Sequence, residues 1–239
     1  MCFKKNISAL CLIFFIFSCE DDSSIIFLDS TFTTKNNTIV EVNTPIANGN
    51  TEISSLINTT LKNTIITTLQ IGDAEHASHK SIEESISGFN NEYKDFINDF
   101  PDSAQQWEAQ IDGEVLYQSP NIISIAITSY INTGGAHGNL NIIFNNFDAA
   151  TGNRIQNNQL LKDKDTFKKM ALPYFKKATE NKEAIFESDS FELPKNITYS
   201  DEGIILLYNT YEIAPYSTGI IEFTIPYNKA NPFLVFEGS

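Results

Sequence analysis

Two periods of apolar spacing divide this chain. From Thr51, Ile53, Leu56, Ile57, Leu61, Ile65 and Leu69 recur at three- and four-residue steps. That spacing predicts an amphipathic helix with one buried face. Ile82, Ile86, Phe89, Tyr93, Phe96, Ile97 and Phe100 repeat the pattern. Ser81 with Glu84 three residues on predicts a capping box, and Pro101 ends the helix. The period then changes to two. Trp107, Ala109, Ile111, Gly113, Val115 and Tyr117 alternate with Glu108, Gln110, Asp112 and Glu114, which predicts a strand with one wet face. Asp112-Gly113 also fits a hairpin turn, but the alternation runs through it, so a continuous strand is expected.

After Ser119-Pro120-Asn121, residues 122–131 are apolar on both faces, the pattern of a central strand. Leu140 to Phe147 is its expected antiparallel neighbour, and Asp148 to Gly152 a turn. Leu160 to Asn181 reads as a third helix in which Pro173 kinks the chain or starts a second helix. Strands are expected at Ile197 to Tyr199, Ile204 to Tyr208 and Ile221 to Ile225, with a tight hairpin at Asp201-Glu202-Gly203. Upstream, Ile39 to Val42 is a plausible first strand, and Pro45, Asn48, Gly49 and Asn50 mark a loop. Helices and strands come in blocks, not in βαβ alternation. The expected fold class is therefore α+β, an antiparallel sheet packed against a few helices.

The first residues follow another logic. Lys4 and Lys5 precede an apolar run from Ile7 to Phe17, and Ser18 precedes Cys19. The run is too short for a bilayer span, which needs ~20 residues, and suits a signal peptide. Residues 1–18 are thus expected to be a lipoprotein signal peptide and Cys19 the lipidation site, with palmitate among its acyl chains. An uncleaved anchor or ordinary signal cleavage is the alternative. Glu20-Asp21-Asp22-Ser23-Ser24 resembles the surface-export signal of Bacteroidetes lipoproteins, or is simply solvated. The expected location is the outer membrane, periplasmic or surface-exposed. Residues 19–38 read as an acidic flexible tether, 39–118 as an N-terminal α+β part and 119–239 as a C-terminal one. Cys2, Cys11 and Cys19 are the only cysteines, so no disulfide is expected in the body.

Charge narrows the partners. The formal net charge is −14, and loss of Lys4 and Lys5 takes it to −16. Arg154 is the only arginine. Phosphate contacts need clustered Lys and Arg, so nucleic acid is not an expected partner. A basic protein would be steered toward such a surface.

Three strings are candidates for chemistry. Thr133-Gly134-Gly135-Ala136-His137-Gly138-Asn139 places three glycines between two apolar strands. Such a loop can form an anion-binding nest, and His137 is a candidate base, ligand or recognition residue, or a structural histidine. No Lys-Ser/Thr follows, so it is not a phosphate loop. His76 and His79, with Asp73 and Glu75, could bind a divalent metal, but a zinc site wants three or four ligands in firm geometry and two histidines in a loop do not supply it, so no metal or cofactor is expected. Residues 208–219 hold Tyr208, Tyr211 and Tyr216 with Glu212, Pro215 and Gly219, an exposed aromatic platform or a packed corner.

Read together, Tyr130-x-x-Thr-Gly-Gly-Ala-His-Gly-Asn139, Phe147-Asp148-x-x-Thr151-Gly152, Tyr211-Glu-Ile-Ala-Pro-Tyr216 and Ile225-Pro226-Tyr227 resemble one domain family. It is shared by the extracellular part of the anti-sigma-V factor RsiV and the non-catalytic N-terminal part of the peptidoglycan deacetylase PdaC. The resemblance spans roughly residues 39–236. It implies a binding or sensing domain at the cell envelope, tethered by the lipid, with lysozyme or peptidoglycan fragments as ligand. Gly134, Gly135, His137, Gly138, Tyr211, Glu212, Pro215 and Tyr216 are the expected ligand-binding residues, and no catalytic residue is assigned. The rival reading is a cell-wall carbohydrate hydrolase, or a deacetylase-associated enzyme, that uses His137 for acid–base work.

Overall fold

A computed structural model describes residues 24–72, 80–182, 184–186 and 191–239. Cys19 and the signal segment lie outside the described residues, as do Asp73, Glu75, His76 and His79.

The chain begins with β1 (Ile26–Phe32) and β2 (Val40–Asn48). Two helices follow, α1 (Thr51–Leu69) and α2 (Ile82–Asp99). Then come β3 (Glu108–Gln118), β4 (Ile122–Asn132), β5 (Asn139–Asp148) and the two-residue β6 (Arg154–Ile155). After the single turn α3 (Asn157–Leu160) and the helix α4 (Lys164–Thr179) come β7 (Asn196–Ser200), β8 (Gly203–Tyr208) and β9 (Ile221–Ile225). A final turn, α5 (Tyr227–Ala230), follows Pro226.

Strands β1 to β6 form one sheet in chain order, and β7, β8 and β9 form a second. The class is α+β, as the block pattern predicts. One pair departs from the antiparallel expectation: β2 runs parallel to β3, with Val40 opposite Ala109. Parallel neighbours need a long crossover, and α1 with α2 supplies it.

The layers follow from alternation. On β4, Ile123, Ile125 and Ile127 join the core under α1 and α2, with Ile57, Ile65 and Phe89. On its other face Ala126 packs with Phe144 of β5 and with Leu207 of the second sheet. On β8, Ile204, Leu206 and Tyr208 turn instead into a third cluster with Phe167 and Phe175 of α4. The order is therefore helices, large sheet, small sheet, helix, and β4 is central in both senses.

Polar groups lock the sheets together. Asn146 is buried; its Oδ1 accepts from Ser124 Oγ (2.7 Å) and Thr198 Oγ1 (2.9 Å), and its Nδ2 donates to the Ile197 carbonyl (2.8 Å). A buried amide in an apolar layer is tolerated because these bonds satisfy it.

Several expectations need correction. Residues 19–38, expected to be a flexible tether, contain β1, whose backbone pairs antiparallel with β2 from Ile26↔Asn48 to Phe32↔Val42. Its alternating side chains are half exposed, as on an edge strand, so the apolar period is weak. Strand β2 passes through Pro45, which was expected in a loop. The division at 118/119 falls between β3 and β4, which pair antiparallel from Glu108↔Asn132 to Gln118↔Ile123. Pro173 lies inside one continuous α4. It is exposed, so water can take the Lys169 carbonyl that Pro173 cannot bond. The helix starts at Lys164 rather than Leu160, because Asp163 caps it by accepting from the Asp165 and Thr166 amides. At α2, the Ser81 hydroxyl accepts from Glu84 N as expected, while Glu84 Oε2 reaches back to Lys80 N (2.7 Å).

Candidate binding site at the glycine loop

The glycine loop joins β4 to β5. Gly134 and Gly135 have φ of +88° and +106°, the left-handed backbone glycine permits. Asn132 Oδ1 accepts from Gly134 N (3.0 Å) and holds the loop's entry. Gly138 serves a close contact instead: a Cβ there would lie 2.4 Å from the Tyr130 ring, which would have to move. The ring packs on bare backbone, and the chain passes beneath it into β5.

The tyrosine string leaves β8 through Asn209. Its side-chain amide accepts from Ile142 N (2.9 Å) and donates to Ile142 O (2.8 Å). One asparagine side chain thus occupies the free edge of β5 as a strand's peptide group would. Glu212 stabilises the same corner, its carboxylate accepting from Lys195 N (2.9 Å) and Asn209 N (3.1 Å). Asn196 Oδ1 accepts from Phe144 N (3.0 Å) farther along that edge. Pro215 leads into a 3₁₀ turn, Tyr216–Thr218.

The two strings meet. The His137 and Tyr216 rings stack with centroids 3.6 Å apart and planes 13° apart. Tyr216 OH donates to the Gly138 carbonyl (3.0 Å), which also lies 3.0 Å from His137 Nδ1. Thr210 Oγ1 reaches Asn139 Oδ1 (3.3 Å). Tyr211 packs at 5.8 Å against Tyr216 and is 57% exposed, with φ of +66°. A tyrosine in that region is unusual and costs about 1–2 kcal/mol. Glycine or asparagine would sit there more easily, so the exposed ring is held at an energetic cost.

His137, Tyr211 and Tyr216 therefore lie together, with Gly138 buried beneath the stack and Pro215 leading into Tyr216; Gly134 and Gly135 lie earlier in the same loop, where Gly134 packs against Gln105. Glu212 belongs to the corner beneath it, engaged with backbone amides. Among the described residues no carboxylate is hydrogen-bonded to His137, and no cluster of three His, Cys, Asp or Glu could hold a metal. His137 is exposed. The arrangement suits contact with a ligand through rings and backbone.

Sequence reasoning passed over Asn209, Asn196 and the placement of Arg154. Arg154 lines a trench of about 700 Å³ beside Tyr211, together with Asn141, Asn158 and Lys195. The only available signal was its being the sole arginine.

Residues 138–228 match the family model of DUF3298, described as a protein of unknown function. Residues 32–140 match the family model described as deacetylase PdaC. The two matches meet in the glycine loop. Among the curated proteins none matches the chain. Two solved structures share the fold. One is a DUF3298 family protein from Pseudomonas aeruginosa PAO1, 21% identical, with a TM-score of 0.60, covering 92% of this chain and 99% of the other. The second is a DUF3298 family member from Bacteroides fragilis NCTC 9343, 16% identical, with a TM-score of 0.62, covering 89% and 93%.

Proposed function

Since this chain carries the PdaC and DUF3298 segments in tandem, we propose that it is a lipid-anchored binding domain of the cell envelope. Its ligand is cell-wall glycan or a basic wall-active protein such as lysozyme. The observation that carries the reading is the stack of His137 on Tyr216 with Tyr211 exposed beside it. Exposed aromatic anchors on rigid backbone are the usual energetic centre of a binding surface. The net charge of −14 would steer a basic protein partner such as lysozyme toward this surface at long range. Attachment is assigned to Cys19, which follows Ser18 and the short apolar run from Ile7 to Phe17.

Retention of lysozyme by immobilised protein tests the partner. Lysozyme should be held at low salt and released by Tyr211→Gly or His137→Ala. No retention at low salt, where attraction between charges is least screened, removes lysozyme as the ligand. Labelling with a radioactive fatty acid tests the anchor: the label should vanish in Cys19→Ala.

A further inference from the structure

Along the free edge of β5, beside the ring stack, runs the trench of about 700 Å³. Its size is that of a small-ligand site, which spans ~300–1,000 Å³. Its chemistry differs from the rest of the molecule. In a chain of net charge −14 it gathers the only arginine, Arg154, and Lys195. Among the described residues neither cation has an ion-pair partner. The one carboxylate lining it, Glu212, is engaged by the Lys195 and Asn209 backbone amides. A second cleft of about 410 Å³ shares Arg154 and Ile143 and continues to Thr60, Asn63, Thr64 and Thr67 on α1. Arg154 thus stands at the junction of two clefts lined by amides and hydroxyls.

A peptide adding as a strand is a poor occupant. The Ile142 N–H and C=O that it would pair are both bonded by Asn209, and the Phe144 N–H is bonded by Asn196. What the trench offers is side chains. The Asn141 and Asn158 amides both donate and accept, which matches hydroxyl groups. The exposed Tyr211 ring offers an apolar face with a polar tip. Arg154 offers a planar fork for a carboxylate.

We propose that this trench binds a carboxylate-bearing oligosaccharide. Arg154 and Lys195 hold carboxylates, Asn141 and Asn158 hold hydroxyls, and Tyr211 underlies a sugar ring. Several sugar units reach from Tyr211 past Arg154 toward α1. The inference rests on the binding-domain reading and gives it a glycan site distinct from the His137–Tyr216 stack.

Calorimetric titration of the full chain in detergent tests it with three probes: tetragalacturonate, neutral chitotetraose and tetraglutamate. Tetragalacturonate should bind, and Arg154→Ala or Lys195→Ala should each weaken it at least about tenfold, the loss of one charge-assisted contact. Salt should weaken it too, whereas chitotetraose should bind less well and be indifferent to Arg154→Ala. The proposal is overturned by no binding of tetragalacturonate, by unchanged binding in Arg154→Ala, or by equally tight tetraglutamate. Lysozyme retention separates the two readings. Lysozyme held by a protein that ignores tetragalacturonate refutes the trench and leaves the binding domain standing, while loss of both refutes both. Arg154 is exposed on a two-residue strand, so its variant should melt with the parent.

Discussion

Replacing Tyr211 by glycine should leave the fold as stable as before, or more so, while weakening ligand binding. The backbone at Tyr211 has φ of +66°. A non-glycine residue there costs about 1–2 kcal/mol, which glycine recovers. Against that, glycine gives the unfolded chain more freedom, at a cost of about 0.5–1 kcal/mol. It also removes the contact with Tyr216, worth about 0.5–1.5 kcal/mol at most for a ring pair. Tyr211 is 57% exposed and its ring lies tilted at 5.8 Å, so the lower end applies. The net change is close to zero. Tyr211→Ala keeps the strained backbone and still loses the ring. The comparison between the two variants therefore isolates the backbone cost, and Gly should exceed Ala by about 1 kcal/mol. For a body of this size that difference is about 2–4 °C in melting temperature. Thermal unfolding followed by circular dichroism measures it, with lysozyme and tetragalacturonate binding recorded on the same samples. Equal melting of the Gly and Ala variants would refute the strain argument. Unchanged binding in both would remove Tyr211 from the binding surface.

Asn146→Ala should destabilise the protein by about 3 kcal/mol, because it strands two hydroxyls and a carbonyl between the sheets; a loss below about 1 kcal/mol in urea unfolding would show that the sheets do not depend on it. Asn145 is the opposite case: it is fully buried, yet its Oδ1 and Nδ2 have no partner among the described residues. Asn145→Leu, of similar volume, should stabilise by about 1 kcal/mol, and destabilisation would reveal a partner such as a buried water. Burial raises the Tyr199, Tyr208 and Tyr227 hydroxyls above their usual pKa, with the neighbouring tyrosines adding to the rise at Tyr199 and Tyr227 and Glu212 at Tyr208. The folded state holds these protons more tightly than the unfolded one. Their stabilising effect is thus complete below about pH 10, the ordinary tyrosine value, and is lost as pH rises above it. Urea midpoints should fall steeply above that pH, and a flat profile would contradict the shifts.

Where periodicity was strong, the fold could be read from the sequence. The apolar stripes of α1 and α2 and the alternation of β3 predict those elements, and the doubly apolar β4 predicts its central place. Strand β1 escaped because an edge strand buries little: Ile26 and Leu28 are half exposed, so no alternation marks them. Strand β6 is two residues long and exists only by pairing with Asn146 and Phe147. The direction of β2 beside β3 depends on which strands meet after the crossover, which local pattern does not encode. For the candidate site, the oddness of each string was visible and their meeting was not. His137 and Tyr216 touch across a long sequence separation, through an asparagine that mimics a strand. Arg154 was visible only as a count; its cleft is made by residues from β5, α3 and the β8 corner.

The pairing of β4 with β5 has a bearing on how this molecule can be divided. The two family segments meet at residues 138–140, and β4 and β5 lie on either side of that point, joined from Ile122↔Asp148 to Ile131↔Asn139. What sequence comparison delimits as two modules is one continuous hydrogen-bonded ladder. A gene cut at the junction would release a fragment whose last strand is apolar on both faces and lacks its neighbour, a template for self-association. The glycine loop is then more than a candidate binding surface. It is the seam at which the two matched segments share one ladder, and neither should be expected to survive as a separate soluble piece.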